Sequence, residues 1–66
     1  MNNEAHQEKR VLRIKEVEKI VGLKRPTIYI LMNKGDFPQN FRLGDRSVGW
    51  NSLEIDSWIE KRLQCR

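Results

Sequence analysis

Two helix-breaking residues, Gly22 and Pro26, lie four positions apart within an otherwise helix-like pattern. Glycine readily adopts the left-handed conformation that follows many helix C-termini, whereas proline is tolerated in the first turn of a helix. A first helix is therefore expected to end at Gly22, and a second to begin near Lys24 and Arg25. The sequence predicts two short helices joined by a turn of about three residues, which is a helix-turn-helix pattern.

The spacing of apolar residues supports both helices. The first helix is predicted over residues 15–21, and its apolar positions are Val17, Ile20 and Val21. The second is predicted over about 25–34, and its inner stripe is Ile28, Leu31 and Met32. Residues 11–14 are rich in β-formers, and we expect them to run extended into the first helix.

A small hairpin and a third helix are predicted after the second helix. Two short strand candidates, residues 41–43 and 48–50, flank a turn at 44–47 that carries two charges. Asn51 suits the N-cap of a helix running from 52 to about 63, whose apolar face is expected to cover the core. Trp50 and Trp58 are expected to point inward.

The predicted fold class is therefore mainly α with a small β-hairpin. Its architecture is a winged helix-turn-helix, in which a helix-turn-helix is followed by a two-stranded wing and a C-terminal helix. The chain has 66 residues, enough for one domain. Residues 1–10 are predicted to be a flexible N-terminal tail, and residues 11–66 to form the domain.

Composition limits the chemistry and the compartment. Cys65 is the only cysteine and His6 the only histidine, too few ligands for a structural zinc site. We expect no cofactor and no metal. No nucleophile–base pair or glycine-rich phosphate loop is visible, so an enzyme is not expected. The sequence lacks a signal-peptide pattern and an apolar run of about 20 residues, so a cytoplasmic protein without a membrane partner is expected.

The basic excess is central in the chain. The formal net charge is +4, and residues 24–50 hold five basic residues against two acidic ones. Residues 51–66 hold equal numbers of both signs. A basic excess confined to one ordered segment favours a surface that faces a polyanion, although ordinary solubility charge would also explain it.

The polar face of the second helix is the first candidate for DNA contact, because an α-helix fits the major groove. Arg25 would pair with guanine or with phosphate, and Thr27 and Tyr29 with phosphate or a base edge. Asn33 would contact adenine or only cap the helix, and Lys34 lies on the same face. The plain alternative is a solvated helix face.

Tyr29 and Ile30 leave two interpretations open. An aromatic beside an aliphatic residue is unusual on a solvated face, and contact with DNA or protein would explain it. Alternatively, Tyr29 packs under the wing and is mostly structural.

The predicted wing is the second candidate. Arg42 and Arg46 would reach phosphates or the adjacent minor groove, and Ser47 would contact the DNA backbone. Charged turns are common, however, and Asp45 beside Arg46 weakens the basic character of the tip.

The chain resembles the AlpA family of phage-type regulatory proteins over about residues 11–63. The segments that carry the resemblance are Leu12–Val17, Val21–Leu23, Arg25–Tyr29, Gly35–Pro38, Leu43–Gly44 with Arg46–Trp50, and Glu54–Ile59. It implies a MerR-like winged helix domain that resembles excisionases, encoded on a prophage or genomic island. It also implies that Arg25, Thr27, Tyr29 and Arg46 meet DNA.

Two positions depart from the pattern that the resemblance implies. Lys24 stands where serine is a common N-cap, which loses about 1 kcal/mol of capping but adds a cation near phosphate. Ile30 stands where a basic residue is common, and would touch a thymine methyl or a neighbouring protomer.

The main hypothesis is a sequence-specific DNA-binding protein. The resemblance implies that it acts as a recombination directionality factor (excisionase), as a transcriptional regulator of the integrase gene, or as both. The predicted DNA-binding residues are Lys24, Arg25, Thr27, Tyr29, Asn33, Lys34, Arg42, Arg46 and Ser47. The expected partners are double-stranded DNA, an integrase, and further copies bound cooperatively on DNA. The alternative is a protein-interaction module, in which Tyr29, Ile30 and the last helix form a docking face for an integrase or response regulator.

Overall fold

A computed structural model describes residues 9–65. Residues 1–8 of the predicted tail lie outside this range, so that expectation stays a prediction. The elements in chain order are β1 (Val11–Leu12), α1 (Ile14–Val21), α2 (Arg25–Asn33), β2 (Phe41–Arg42), β3 (Val48–Asn51) and α3 (Ser52–Gln64).

The turn between α1 and α2 forms as its two helix-breaking residues predict. Gly22 adopts the left-handed conformation, with φ of 78°, and its N–H donates to the Glu18 carbonyl at 2.8 Å. Pro26 lies in the first turn of α2, where no helical partner is needed for its missing N–H. Each helix thus ends or begins where local backbone preference requires.

The sheet has three antiparallel strands in the order β1-β3-β2, rather than the two predicted. On one side of β3, Phe41 is paired with Gly49. On its other side, Leu12 is paired with Trp50. The extended segment before α1 is therefore a third strand. It pairs with the edge of β3 that β2 leaves free, and its backbone groups form hydrogen bonds there.

The pairing continues one residue beyond β1. The Ser52 N–H donates to the Arg10 carbonyl, and the Arg10 N–H donates to the Ser52 hydroxyl, both at 2.9 Å. The first turn of α3 is thus joined to the chain that precedes β1. Asn51 caps this helix as predicted, since its Oδ1 accepts from the Leu53 N–H at 2.9 Å.

The core lies between the sheet and the three helices. Its buried apolar residues are Leu12, Val17, Ile28, Met32, Phe37, Trp50 and Ile55. One apolar position of the predicted first helix needs correction, because Ile20 is 43% exposed. Leu31 and Trp58 are partly buried and pack against the core as expected, at the rim where α1 and α2 meet α3.

Trp58 ties α3 to the loop after α2. Its indole N–H donates to the Asp36 carbonyl at 2.7 Å, and its ring meets Phe37 edge-on at 4.8 Å. Arg62 lies over the same ring, at 4.7 Å from its centroid. Together the elements form three helices and a small three-stranded sheet, an arrangement compatible with the predicted winged helix-turn-helix. Within residues 9–65, no helix is both long and apolar enough to cross a membrane.

Candidate nucleic-acid interface

Helix α2 has one face in the core and one towards solvent. Ile28 and Met32 are buried against the other elements. The residues exposed on the opposite face are Pro26, Thr27, Ile30, Asn33 and Lys34. The structure therefore brings the predicted contacts Thr27, Asn33 and Lys34 together on one accessible helix surface.

Arg25 and Tyr29 form a stacked pair on the edge of α2 that adjoins the sheet. The Arg25 guanidinium carbon lies 5.6 Å from the Tyr29 ring centroid, within cation–π range. The Tyr29 ring meets Trp50 of β3 edge-on, with centroids 6.2 Å apart. Tyr29 thus packs against the hairpin and also supports the cation that precedes it by one helical turn.

The Tyr29 hydroxyl is held by a side chain from the loop before β2. The Asn40 Nδ2 donates to the Tyr29 oxygen at 3.3 Å. Because that oxygen accepts a hydrogen bond, its own hydrogen remains able to point elsewhere. This arrangement makes the phenol a donor on the side facing away from Asn40.

Helix α2 is capped from α1 rather than by its own N-cap residue. Lys24 is extended and makes no side-chain cap, as its residue type requires. The Glu18 carboxylate instead accepts from the Arg25 N–H at 2.7 Å. The missing serine cap is therefore replaced by the carboxylate of Glu18, seven residues before Arg25, which also complements the positive end of the α2 dipole.

The hairpin tip carries two arginines with different surroundings. The Arg42 Nη2 donates to the Asp45 carbonyl at 3.2 Å and so helps to close the turn. Arg46 is exposed, and Ser47 is half-buried with its carbonyl accepting from the Leu43 N–H at 2.7 Å. Both guanidinium groups are exposed, but that of Arg42 already stabilises the tip.

The cations of α2 and the hairpin, here called the basic surface, have no acidic partner among the described residues. They are Lys24, Arg25, Lys34, Arg42 and Arg46, and all five are exposed. Within residues 9–65, none of the five lies within salt-bridge distance of a carboxylate. The ion pair found there joins Arg10 to Glu16 at 3.8 Å, outside this surface. Cations without carboxylate partners keep their donors available to phosphate.

Comparison with known proteins assigns the family. A family model described as "Prophage CP4-57 regulatory protein (AlpA)" matches residues 10–63. The chain belongs to the AlpA family. It is 41% identical over 59 residues to "Uncharacterized protein ORF88" of Enterobacteria phage P4, covering 89% of this chain and 67% of the relative. It is 39% identical over 59 residues to "DNA-binding transcriptional activator AlpA" of Escherichia coli (strain K12), covering 80% and 84%.

Sequence reasoning missed two residues that shape this surface in the AlpA-family chain. No sequence pattern indicates a contact with this surface for either Glu18 or Asn40. The pattern S/T/D/N before a helix signals a cap, but a cap that arrives from another helix leaves no such local trace. Asn40 lies in an irregular loop, where no periodicity indicates what its side chain contacts.

The described part of this AlpA-family chain contains no cluster of potential metal ligands. Among residues 9–65, His, Cys, Asp and Glu form no group of three that would hold a metal ion. Cys65 is a free, exposed thiol at the end of α3. The exposed polar groups described above lie instead on the outward face of α2 and at the hairpin tip.

Proposed function

We propose that this AlpA-family protein is a winged helix-turn-helix that binds short sites on double-stranded DNA in a sequence-specific manner. In a prophage or genomic island it regulates transcription of the integrase gene, directs excision, or does both. The observation that carries the proposal is the exposed polar face of α2, where Lys24, Arg25 and Lys34 have no carboxylate within salt-bridge distance among residues 9–65. The name of the Escherichia coli relative, a DNA-binding transcriptional activator, supports it.

Helix α2 acts as the recognition helix in this proposal. Its outward face enters the major groove, so that Thr27 and Asn33 reach base edges while Lys34 approaches the phosphate backbone. Arg25 and Tyr29 lie on the hairpin side of the helix and contact phosphate or guanine. Lys24 adds positive charge where the helix begins.

The hairpin acts as the wing. Arg46 projects from its tip towards a phosphate or the adjacent minor groove, and Ser47 contacts the DNA backbone. Arg42 holds the turn through Asp45 and contributes charge to the same region. The domain is small, so tight binding would require several copies on adjacent sites.

A salt titration tests the proposal. Binding of the purified protein to attachment-site DNA is measured by fluorescence anisotropy over a range of salt, with an unrelated duplex as competitor. If Arg25 and Arg46 each neutralise a phosphate, Arg25→Ala and Arg46→Ala each reduce the slope of log K against log salt by about 0.9. Lys61→Ala on α3 is the control and leaves the slope unchanged. Equal slopes for all four proteins would place the interface elsewhere.

Footprinting separates the two biological roles. Protection of repeated sites at the attachment region, with bending of the DNA, is expected of an excisionase. Protection of the integrase promoter together with altered transcription is expected of a regulator. Protection confined to the attachment region would exclude the regulator version.

A protein-interaction module is the second candidate, and an apolar groove favours it. This groove of about 440 Å³ lies between α1, α2 and α3, and its aliphatic lining, with Trp58 beside it, is Ile20, Val21, Leu23, Leu31, Ile59 and Leu63. Docking of an integrase or response regulator there would survive high salt and removal of the hairpin charges. Weak, non-selective DNA binding in the titration would favour this module over the DNA-binding proposal.

A further inference from the structure

Ile30 lies at the centre of the outward face of α2. It is 54% exposed. Its neighbours one helical turn away in either direction are also exposed, and they are Pro26, Thr27, Asn33 and Lys34. A large aliphatic side chain at the edge of a polar helix face can pack against the neighbouring core residues. Ile30 lies at the centre of that face, where residues 9–65 leave it more than half exposed.

The neighbours of Ile30 restrict what can cover it. A helical side chain leans towards the N-terminus of its helix, so Ile30 extends over the turn that carries Pro26 and the Thr27 methyl. Asn33 and Lys34 follow on the C-terminal side and offer an amide and a cation. The apolar area is therefore one side chain wide and bounded by polar groups, which is too narrow for a hydrophobic protein interface.

The major groove offers a group of matching size and chemistry. Its base edges present hydrogen-bond donors and acceptors, and thymine adds the C5-methyl. Isoleucine has neither donor nor acceptor in its side chain, so the methyl is the group that it recognises favourably. A base with only polar atoms at that position would lose water without gaining a hydrogen bond.

We infer that Ile30 is a specificity-determining residue that packs against the C5-methyl of thymine in the major groove. The inference rests on the proposed function, because it requires α2 to enter that groove. Asn33 and Lys34 orient the helix through polar contacts, and Ile30 selects thymine over cytosine at the position it covers.

Deoxyuridine substitution tests this contact at the level of one methyl group. Thymines in the footprinted site are replaced one at a time by deoxyuridine, which removes the methyl and keeps the base pair. For one or two of the substituted sites, the unsubstituted protein is expected to bind about fourfold more weakly than it binds the thymine site, since burying one methyl is worth about 0.8 kcal/mol. Ile30→Ala is expected to bind the thymine and deoxyuridine sites equally.

Two further variants distinguish a direct contact between Ile30 and the methyl from a general loss of DNA affinity. Ile30→Val keeps a branched methyl and is expected to retain part of the discrimination. Asn33→Ala removes a neighbour on the same face and is expected to retain the full thymine preference, whatever its affinity. Circular dichroism melts check that each variant is folded.

The outcomes separate this inference from the proposed function. If the original protein binds its site selectively but every deoxyuridine site binds like thymine, the Ile30 inference is overturned and DNA binding stands. If Ile30→Ala keeps the same preference for thymine, another residue reads the methyl and the inference is again overturned. If the original protein shows no site-selective binding at all, the proposed function itself fails.

Discussion

The Glu18 carboxylate accepts a 2.7 Å hydrogen bond from the backbone N–H of Arg25, the first residue of α2. This contact fixes the start of α2 relative to α1 across the turn that contains Gly22. It also satisfies one of the N–H groups that a helix leaves unpaired at its N-terminus. Through this hydrogen bond, an acidic side chain of α1 caps the N-terminus of α2.

Replacement of Glu18 is expected to destabilise the fold. Glu18→Ala removes the cap and should lower the free energy of unfolding by about 1 kcal/mol, whereas Glu18→Gln keeps an acceptor and should lose less. Urea denaturation followed by circular dichroism measures both. Glu60→Ala, an exposed acid of α3, is the matched control and should change stability by less than about 0.5 kcal/mol. Equal stability of Glu18→Ala and the control would contradict the capping role.

The Tyr29–Asn40 hydrogen bond leads to a prediction about DNA affinity. Tyr29→Phe removes the hydroxyl that we propose donates to phosphate, and should weaken binding about tenfold, the equivalent of about 1.4 kcal/mol for a hydrogen bond to a charged group. Asn40→Ala leaves the hydroxyl without its partner and should weaken binding by a smaller factor. Because phosphate contacts carry no sequence information, specific and competitor DNA should weaken alike.

A double-mutant cycle decides whether Asn40 acts through Tyr29. Asn40→Ala should have no further effect on affinity in the Tyr29→Phe protein, since the hydroxyl that it positions is absent. Anisotropy titrations of the four proteins at one salt concentration provide the cycle. Additive losses would mean that Asn40 affects binding independently of the phenol.

Two glycines of the hairpin region provide a matched pair of substitutions. A Cβ at Gly49 would lie 2.5 Å from Val11 Cγ1 and 3.2 Å from both the Leu12 carbonyl oxygen and Leu43 Cδ1. Gly49→Ala should therefore destabilise the protein by about 1–3 kcal/mol through overpacking. A Cβ at Gly44 meets nothing within 4 Å, so Gly44→Ala should be nearly neutral. A lower melting temperature for Gly44→Ala than for Gly49→Ala would contradict the close approach of β1 to β3.

The anchor between α3 and the loop after α2 is also testable. Trp58→Phe keeps an aromatic ring beside Phe37 but loses the indole N–H that donates to the Asp36 carbonyl. The expected loss is about 1 kcal/mol in the free energy of unfolding, measured by urea denaturation with Trp50 as the remaining fluorophore. Ser57→Ala, at the exposed neighbouring position, is the control. A Trp58→Phe protein as stable as this control would mean that the hydrogen bond contributes nothing net.

The helices and their limits follow from residues that act locally. Gly22 and Pro26 determine where α1 ends and α2 begins, because each restricts its own backbone whatever the rest of the chain does. Asn51 does the same for α3 by capping a neighbouring N–H. The alternation of buried and exposed positions along α2 follows from its own apolar spacing, so Thr27, Asn33 and Lys34 could be placed on one face beforehand.

Other features depended on the tertiary structure, because they join residues that no local preference connects. Leu12 is paired with Trp50 in a third strand, Glu18 caps α2, and the Tyr29 hydroxyl is held by Asn40. The rim positions of Ile20 and Trp58 likewise depend on how closely α3 approaches the first two helices. The sequence by itself determined which segments are helical and which helix face is polar. Only the packed chain decided which distant side chains orient that face, since their energies arise from contacts made across the fold.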